Sequence, residues 1–285
     1  MKVFITGVCG FVGSALAEAL LELREGISVF GVDNLQRPGS EMNRGLLRPL
    51  GVQVIHGDIR AASDLESLPP ADWVIDAAAN PSVLAGVKGN GSSPQLFEHN
   101  LASLVNVLEY CKKHKAGLLL LSSSRVYSIA QLTSLPLKIC GDAFRLDASG
   151  TLPVGVSEQG IGPGFSTAPP ISLYGSTKLA CEIVALEYGA AYDFPVWVNH
   201  CGVLAGAGQF WHARPRDFLL LDQRPSAATS PEIHWLDGQG RQVRDLFHPR
   251  DLASLLNAQI RTSRTGGCRV YTAGGGPDAP CPSPS

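Results

Sequence analysis

Short apolar segments alternate with longer segments of helical periodicity over residues 1–202 of the chain. In the first helical segment, residues 14–24, Leu16, Leu20 and Leu23 fall on one face. Strands that alternate with helices predict an α/β protein with a Rossmann-type doubly wound parallel sheet. The predicted strands are residues 3–5, 28–32, 52–56, 73–76, 117–121 and 194–198, and the later helices are residues 40–50, 95–114 and 174–187.

The first predicted strand runs into a turn with glycine at positions 7, 10 and 13. Backbone N–H groups at a helix N-terminus bind anions, and glycine lets a pyrophosphate come close. The turn therefore predicts a dinucleotide site, with a glycine turn that binds nothing as the alternative. The second strand ends at Asp33, whose carboxylate would accept both hydroxyls of an adenosine ribose and repel a 2′-phosphate. We therefore predict NAD rather than NADP.

Two further strand ends carry candidate cofactor residues. Asp58 follows the third strand, where it would either accept a hydrogen bond from the adenine amino group or cap the next helix. Residues 77–79 follow the fourth strand and are all alanine, which leaves room for phosphate and ribose.

Tyr174 and Lys178 are separated by one turn of a predicted helix and share a face of it. Tyrosine, with an ordinary pKa of about 10, is a poor base unless a nearby cation stabilises its phenolate. Lys178 would supply that cation, and Ser123, at the end of the fifth strand, would bind the substrate oxygen. The alternative is two residues on a helix surface. Residues 128–172 are rich in Pro and Gly without helical periodicity, which predicts a lid or substrate loop.

Composition limits the class of protein. The 285 residues carry a net charge of −2 with 17% charged residues, which predicts no nucleic-acid partner. No apolar run reaches the roughly 20 residues that span a bilayer. The N-terminal residues form a predicted strand and lack the pattern of a signal peptide. We therefore expect a cytoplasmic protein without membrane contact. Without a Cys-x-x-Cys pair, the cysteines are interpreted as reduced thiols and no metal site is predicted. They are Cys9, Cys111, Cys140, Cys181, Cys201, Cys268 and Cys281.

Taken together, these motifs resemble the extended short-chain dehydrogenase/reductases, and among them the NAD-dependent nucleotide-sugar epimerase/dehydratase family. The resemblance covers residues 1 to about 210 and 238–276. It implies an NAD-binding Rossmann domain over residues 1–202, a mainly substrate-binding lobe over residues 203–285, and a homodimer formed through helices 95–114 and 174–187. The matching motifs are residues 7–13, 57–59, 122–127, 174–178 and 244–251.

The resemblance also implies roles for individual residues. Ser123 would be the catalytic hydroxyl, Tyr174 the acid/base and Lys178 its partner. The nucleotide-sugar substrate would lie near Ser124, Arg125 and Arg244; Arg244 would bind the diphosphate unless it forms a surface pair with its neighbour Asp245. The implied cofactor contacts are Gly7, Gly10, Phe11, Val12, Gly13, Asp33, Asn34, Asp58, Ile59, Ala78, Asn100, Tyr174, Lys178 and the turn around His200.

One local feature separates the reactions within this family. In its 4,6-dehydratases, Asp and Glu follow the catalytic hydroxyl, whereas Ser124 and Arg125 stand here. We therefore predict an epimerase, which oxidises a carbinol and returns the hydride to the opposite face. Residues 206–210 and 242–245 are most similar to the branch that converts CDP-paratose to CDP-tyvelose. A UDP- or dTDP-sugar 4-epimerase or reductase, and a catalytically silent NAD-binding protein, are the alternatives.

Residues 211–230 depart from the family pattern. One codon choice for the segment around Trp211 reads, in a shifted frame, as the Gly-Thr-Pro-Asp-Gln-Gly-Ile that the family places there. We hypothesise a compensated frameshift, with the lobe truncated after residue 276. Resequencing of the DNA tests this hypothesis, and cofactor binding is expected to survive such damage better than turnover.

Overall fold

The computed structural model describes residues 1–83, 85, 92–141, 143–209, 243–262 and 269–276. Its strands and helices are, in chain order, β1 Lys2–Thr6, α1 Phe11–Leu23, β2 Ser28–Asp33, α2 Ser40–Leu47, β3 Gln53–His56, α3 Ala62–Glu66, β4 Trp73–Asp76, α4 Ser93–Phe97, α5 Ser103–His114, β5 Gly117–Ser123, α6 Ile129–Thr133, β6 Leu137–Cys140, β7 Ala143–Leu146, β8 Val156–Ser157, β9 Gly160–Ile161, α7 Leu173–Tyr192, β10 Val196–Cys201, β11 Val203–Leu204, β12 Leu246–Phe247, α8 Pro249–Arg261 and β13 Arg269–Ala273. A π-helical turn, Glu98–Ala102, joins α4 to α5.

The main sheet is a seven-stranded one with the order β13-β10-β5-β4-β1-β2-β3. All neighbouring strands in it run parallel. In the register of β1 with its two neighbours, Ile5 lies opposite Gly31 of β2 and Ile75 of β4. The chain moves outward from β1 to β3 and then returns to the other side of β1 with β4. Such a reversal opens a crevice at the carboxyl ends of the strands, where open α/β sheets bind their ligands. The predicted fold class is confirmed.

Helices cover both faces of this sheet because successive strand residues point to opposite sides. In β5, Leu119 and Leu121 pack in the core that includes the buried faces of α1 and α8. Leu118 and Leu120 pack in the second core, with residues of α3, α5 and α7. Thus α8 and β13, within the lobe that the resemblance assigned to residues 203–285, complete the sheet and its helical layer.

Residues 128–172 are more regular than the sequence predicted. They hold α6 and two antiparallel hairpins, β6–β7 and β8–β9. The expectation of a segment without clear secondary structure was wrong, because strands of two to four residues are too short to show periodicity. The lid role of this segment stays a prediction.

The strand ends also differ from the sequence prediction. β5 continues to Ser123, and β10 continues to Cys201, which lies opposite Ser123. His200, expected in a turn, is therefore a strand residue. The predicted irregularity at 211–230, Cys268, Cys281 and the segment after residue 276 lie outside the described residues. Among those described, no helix is both long enough and apolar enough to cross a membrane.

Candidate active site

The glycine turn forms a cradle at the N-terminus of α1. Gly7 has φ +63°, and its N–H donates to the Val32 carbonyl at 2.8 Å. A Cβ on Gly13 would lie 2.2 Å from the Gly7 carbonyl oxygen, so an alanine cannot fit without moving the turn. Gly10 caps α1 without a side-chain hydrogen bond, and Phe11 and Val12 open the helix. Within the part of the chain that the structure describes, no side chain accepts from the first-turn N–H groups, so the cradle has the donors that a pyrophosphate requires.

Asp33 lies at the carboxyl end of β2, beside this cradle. Its two carboxylate oxygens accept hydrogen bonds from the N–H groups of Cys9 and Leu35, each at 2.8 Å. These bonds use two of the roughly four acceptor positions of a carboxylate. Acceptor capacity therefore remains for ribose hydroxyls, and the residues present fit the adenosine half of a dinucleotide.

Asp58 is held by neighbouring side chains. One oxygen accepts from the backbone N–H of Arg60 and from its Nε, at 3.0 and 2.9 Å. The other accepts from Asn34 Nδ2 at 3.1 Å and from Arg60 Nη2. The hydrogen bond from the Arg60 guanidinium is the main reason that the pKa of Asp58 lies well below its usual range. An adenine amino group would have to displace one of these partners, so that contact stays a prediction.

The alternative role of Asp58 as a helix cap was wrong. α3 begins at Ala62, and its N-cap is Ala61, which makes no side-chain hydrogen bond. The next residue, Ile59, is buried in the core beneath α3 and α5.

The alanine loop after β4 is fixed by a buried hydroxyl. Thr6 Oγ1 accepts from the N–H groups of Ala77 and Ala78, at 3.1 and 3.0 Å, and donates to Asp76 Oδ1 at 2.7 Å. A Cβ on Gly7 would lie 3.0 Å from the Ala78 Cα, so this loop packs against the cradle. Burial raises the pKa of the Asp76 carboxyl, against the opposing effects of Lys178 and Thr6.

Asp76 is not among the site residues predicted from the sequence. Its signal was a charged residue at the end of an otherwise apolar predicted strand.

The predicted catalytic pair lies on the buried face of α7. Ser172 caps this helix, its Oγ accepting from the Gly175 N–H at 3.1 Å. Tyr174 is 9% exposed and Lys178 4% exposed. Lys178 Nζ donates to the Leu121 carbonyl at 2.9 Å, two residues before Ser123.

The start of α7 rests directly on the turn that follows Ser123. A Cβ on Gly175 would lie 2.3 Å from the carbonyl oxygen of Arg125, so the two backbones touch. Ser123 Oγ accepts from the Arg125 N–H at 3.2 Å and so starts this short 3₁₀ turn, Ser124–Val126. The structure therefore brings the elements that carry Ser123, Tyr174 and Lys178 to one end of the sheet.

Electrostatics keep Lys178 charged. Burial by itself would lower the pKa of its ammonium, but the nearby Tyr174 and Asp76, together with the thiols of Cys181 and Cys201, hold that pKa above its ordinary value. The charged ammonium therefore lies on the same buried face of α7 as Tyr174.

Asn100 lies in the π-helical turn, a kind of irregularity that is frequent at functional sites. Its Oδ1 accepts from the Asn80 N–H at 2.8 Å, and its Nδ2 donates to Thr177 Oγ1 at 3.1 Å. Asn100 thus joins the loop after β4 to α7. Its predicted cofactor contact remains a prediction.

A hydrogen-bonded chain of polar side chains, which we call the buried network, joins α7 to β5 and β10. It consists of four buried residues, Ser122, Glu182, His200 and Tyr127, and ends at the exposed Thr272 of β13. Ser122 Oγ donates to Glu182 Oε1, and Glu182 Oε2 lies 3.0 Å from His200 Nε2. His200 Nδ1 lies 3.0 Å from Tyr127 Oη, which is 3.2 Å from Thr272 Oγ1. Both ring nitrogens of His200 are thereby engaged. Sequence reasoning missed Glu182, although it stands one helical turn beyond Lys178.

Two predicted substrate residues influence each other electrostatically. The pKa of Arg244 is lowered by burial and by the positive charge of Arg125. Guanidinium groups whose positive charges repel in this way suit an anionic ligand. The neighbouring Asp245 accepts from the Gly275 N–H at 2.7 Å and holds the end of β13. Gly206 packs close to His248, and a Cβ on it would lie 3.6 Å from Phe11 of the glycine cradle.

The sequence of this chain is similar to those of known proteins. The sequence model of the NAD dependent epimerase/dehydratase family matches residues 3–274. CDP-paratose 2-epimerase of Salmonella typhi is 26% identical, over 96% of this chain and 79% of that protein. UDP-glucuronate 4-epimerase 3 of Arabidopsis thaliana is 33% identical, over 67% of this chain but 39% of its own length.

A solved structure shows the same fold. The UDP-Glc/GlcNAc 4-epimerase of Campylobacter jejuni superposes with a TM-score of 0.67 at 18% identity, covering 96% of this chain and 79% of that one.

Proposed function

We propose, because this chain belongs to the NAD dependent epimerase/dehydratase family, that it inverts one carbon of a nucleotide-activated sugar. The observation that carries the proposal is the hydrogen bond from Lys178 to Leu121, which seats the catalytic helix against the strand that ends in Ser123. The family makes the protein an NAD-dependent enzyme. The assignment of roles to individual residues is part of the proposal.

The reaction follows from the chemistry of the three side chains. The phenolate of Tyr174, stabilised by the Lys178 ammonium, takes the proton of the sugar hydroxyl. Ser123 donates a hydrogen bond to the substrate oxygen. NAD held by the glycine cradle and Asp33 would supply the redox chemistry, which is removal of the carbinol hydride and its return to the opposite face of the keto sugar. Tyr174 then returns the proton to the oxygen, so the sugar leaves with one centre inverted and the enzyme is regenerated.

The cofactor is held by the cradle and the two strand ends beside it. The N–H groups at the start of α1 bind the pyrophosphate, and Asp33 binds the adenosine ribose. Ala78 packs directly against Gly7 and bounds the cradle on that side. The carboxylate of Asp33 disfavours a 2′-phosphate, which supports NAD over NADP.

The substrate proposed first is CDP-paratose. Support comes from the Salmonella typhi relative and from Ser124 and Arg125, which replace the acidic pair of the dehydratases. Arg125 and Arg244 would bind the diphosphate. The second candidate is a UDP-sugar 4-epimerase, favoured by the 33% identity with the plant UDP-glucuronate enzyme.

The testing experiment has two stages. Mass spectrometry of the nucleotide released on denaturation identifies the cofactor, and NAD is expected. The protein is then incubated with CDP-paratose, UDP-glucuronate and UDP-glucose, and the sugars are analysed, with Tyr174→Phe as the inactive control. Inversion at C2 supports the first candidate and inversion at C4 the second. Bound NAD with no turnover of any sugar contradicts an epimerase and points to a silent NAD-binding protein.

We also propose that the protein is a cytoplasmic homodimer that pairs through the helices α5 and α7. Ile183 of α7 is 57% exposed, as an apolar residue at such an interface would be in an isolated chain. Light scattering is expected to give twice the chain mass of 30.2 kDa, and Ile183→Lys to give the monomer.

A further inference from the structure

Three members of the buried network lie next to residues of the proposed chemistry. Ser122 directly precedes Ser123, and Tyr127 closes the turn that follows it. Glu182 stands one turn after Lys178 on α7. Glu182 is 5% exposed and His200 2% exposed, so both act through their neighbours rather than on substrate.

The hydrogen bonds of the network have a direction. The Glu182 carboxylate accepts from Ser122 Oγ, and it accepts from His200 when the ring proton is on Nε2. In the neutral imidazole, Nδ1 then accepts from the Tyr127 hydroxyl. Burial raises the pKa of Tyr127, which keeps this hydroxyl protonated as a donor. With its own proton given to His200, Tyr127 Oη then accepts from the Thr272 hydroxyl, 3.2 Å away.

We propose that Glu182 and His200 are positioning residues of the epimerase, an inference that rests on the proposed function. Lys178 ties α7 to β5 through one hydrogen bond. Glu182 adds a second tie one turn further along, to Ser122, and His200 extends it to Tyr127. The network thereby sets the separation between Ser123 and Tyr174, the two groups that must reach one sugar oxygen.

The same strand offers a matched control on its other face. Asn199 Nδ2 donates to Gln259 Oε1 at 3.2 Å, and Gln259 Nε2 donates to Asn199 Oδ1 at 2.8 Å. Both residues are buried, and they tie β10 to α8, which carries none of the proposed catalytic residues. If the loss of any buried polar bond lowered activity, variants of the Asn199–Gln259 pair and of the buried network would lose activity alike. If the network positions the catalytic groups, only the network variants should lose kcat.

The activity test compares four proteins: wild type, Glu182→Gln, Tyr127→Phe and Gln259→Leu. With the sugar that the wild type turns over, Glu182→Gln is expected to lower kcat about 10- to 100-fold with little change in KM or NAD content, because misplacement of about 1 Å costs that much. Tyr127→Phe, which removes one hydroxyl, is expected to lower kcat by about 3- to 10-fold. Gln259→Leu is expected to lower Tm and keep kcat.

A spectroscopic test needs no substrate. In ¹⁵N NMR spectra of histidine-labelled protein, with the His200 signals assigned from the His200→Gln spectrum, His200 is expected as the Nε2–H tautomer. Glu182→Gln is expected to change that tautomer population. An Nδ1–H tautomer in the wild type, or full kcat in both network variants, would overturn the inference. A wild type that turns over no nucleotide sugar would instead contradict the proposed function.

Discussion

Lys178 Nζ and the carbonyl oxygen of Leu121 lie 2.9 Å apart in the protein interior. This hydrogen bond fixes an ammonium group between two elements, the helix that carries Tyr174 and the strand that ends in Ser123. Backbone carbonyls are rigid acceptors, so the charge is placed by the fold rather than by a flexible surface pair.

Replacing Lys178 by Met keeps a similar length and removes the charge. Turnover is expected to fall about 100- to 10,000-fold, because acid–base catalysis at Tyr174 loses the cation that favours the phenolate. Steady-state kcat for the sugar turned over by the wild type is the measurement. Lys113→Met is the control: Lys113 is an exposed lysine of α5 that donates to the Glu66 carbonyl, and its loss should leave kcat unchanged. Equal activity in the two variants would remove Lys178 from the mechanism.

Gly13→Ala is expected to abolish NAD retention. The new Cβ would lie 2.2 Å from the Gly7 carbonyl oxygen, inside any acceptable contact, so the cradle must shift. The molar ratio of NAD to protein after gel filtration measures the loss.

Gly45→Ala provides the comparison for Gly13→Ala. Gly45 lies in α2, and a Cβ added there would meet no heavy atom within 4 Å. Alanine in a helix interior is more favourable than glycine by about 0.5–1 kcal/mol. This variant should therefore gain stability in urea unfolding and keep its NAD. A Gly13→Ala protein with a full complement of NAD would show that the cradle does not hold the cofactor.

The residues that sequence reasoning recovered are those whose signal is local. The strand and helix periodicities predicted the sheet, and the four-residue spacing of Tyr174 and Lys178 predicted their common face. Glu182 and Asp76 stand at recognisable positions, one turn beyond Lys178 and at the end of an apolar strand. Their roles could not be predicted, because their partners, His200 and Lys178, meet them only in the folded protein. The hairpins of residues 128–172 were missed for another reason: their strands are shorter than the window in which alternation can be recognised.

Asp33→Ser is expected to weaken NAD binding at least about tenfold. The serine lacks the carboxylate that would bind the ribose, and it cannot accept the two charge-assisted hydrogen bonds from the N–H groups of Cys9 and Leu35 that hold this strand end in place. The Asp33→Ser variant should also have a smaller ratio of NAD affinity to NADP affinity than the wild type, because the repulsion of the 2′-phosphate is removed. Isothermal titration of stripped protein with each cofactor gives both quantities. A variant with wild-type NAD affinity and unchanged preference would exclude Asp33 from the ribose site.

Asp76→Asn tests the buried carboxyl beside Lys178 through the pH dependence of stability. Burial raises the pKa of Asp76 in the folded protein above the ordinary value of about 3.9. Between these two pKa values the folded state binds more protons than the unfolded state, so the free energy of unfolding falls as pH rises. Asparagine keeps an oxygen for the Thr6 hydroxyl and cannot ionise, so the variant should lose less stability than the wild type as pH rises above about 4.

Urea unfolding at several pH values from 4 to 8 measures this difference, and Asp147→Asn is the control for it. Asp147 is a half-buried carboxylate whose pKa is lowered by hydrogen bonds from Ser149, so its contribution to stability is lost as pH falls rather than as it rises. Asp147→Asn should change the free energy of unfolding near pH 4. At higher pH the free energy of this variant should vary with pH as that of the wild type does. If Asp76→Asn also ran parallel to the wild type over that range, Asp76 would ionise alike in the folded and unfolded states, and its burial would have no effect on the charge beside Lys178.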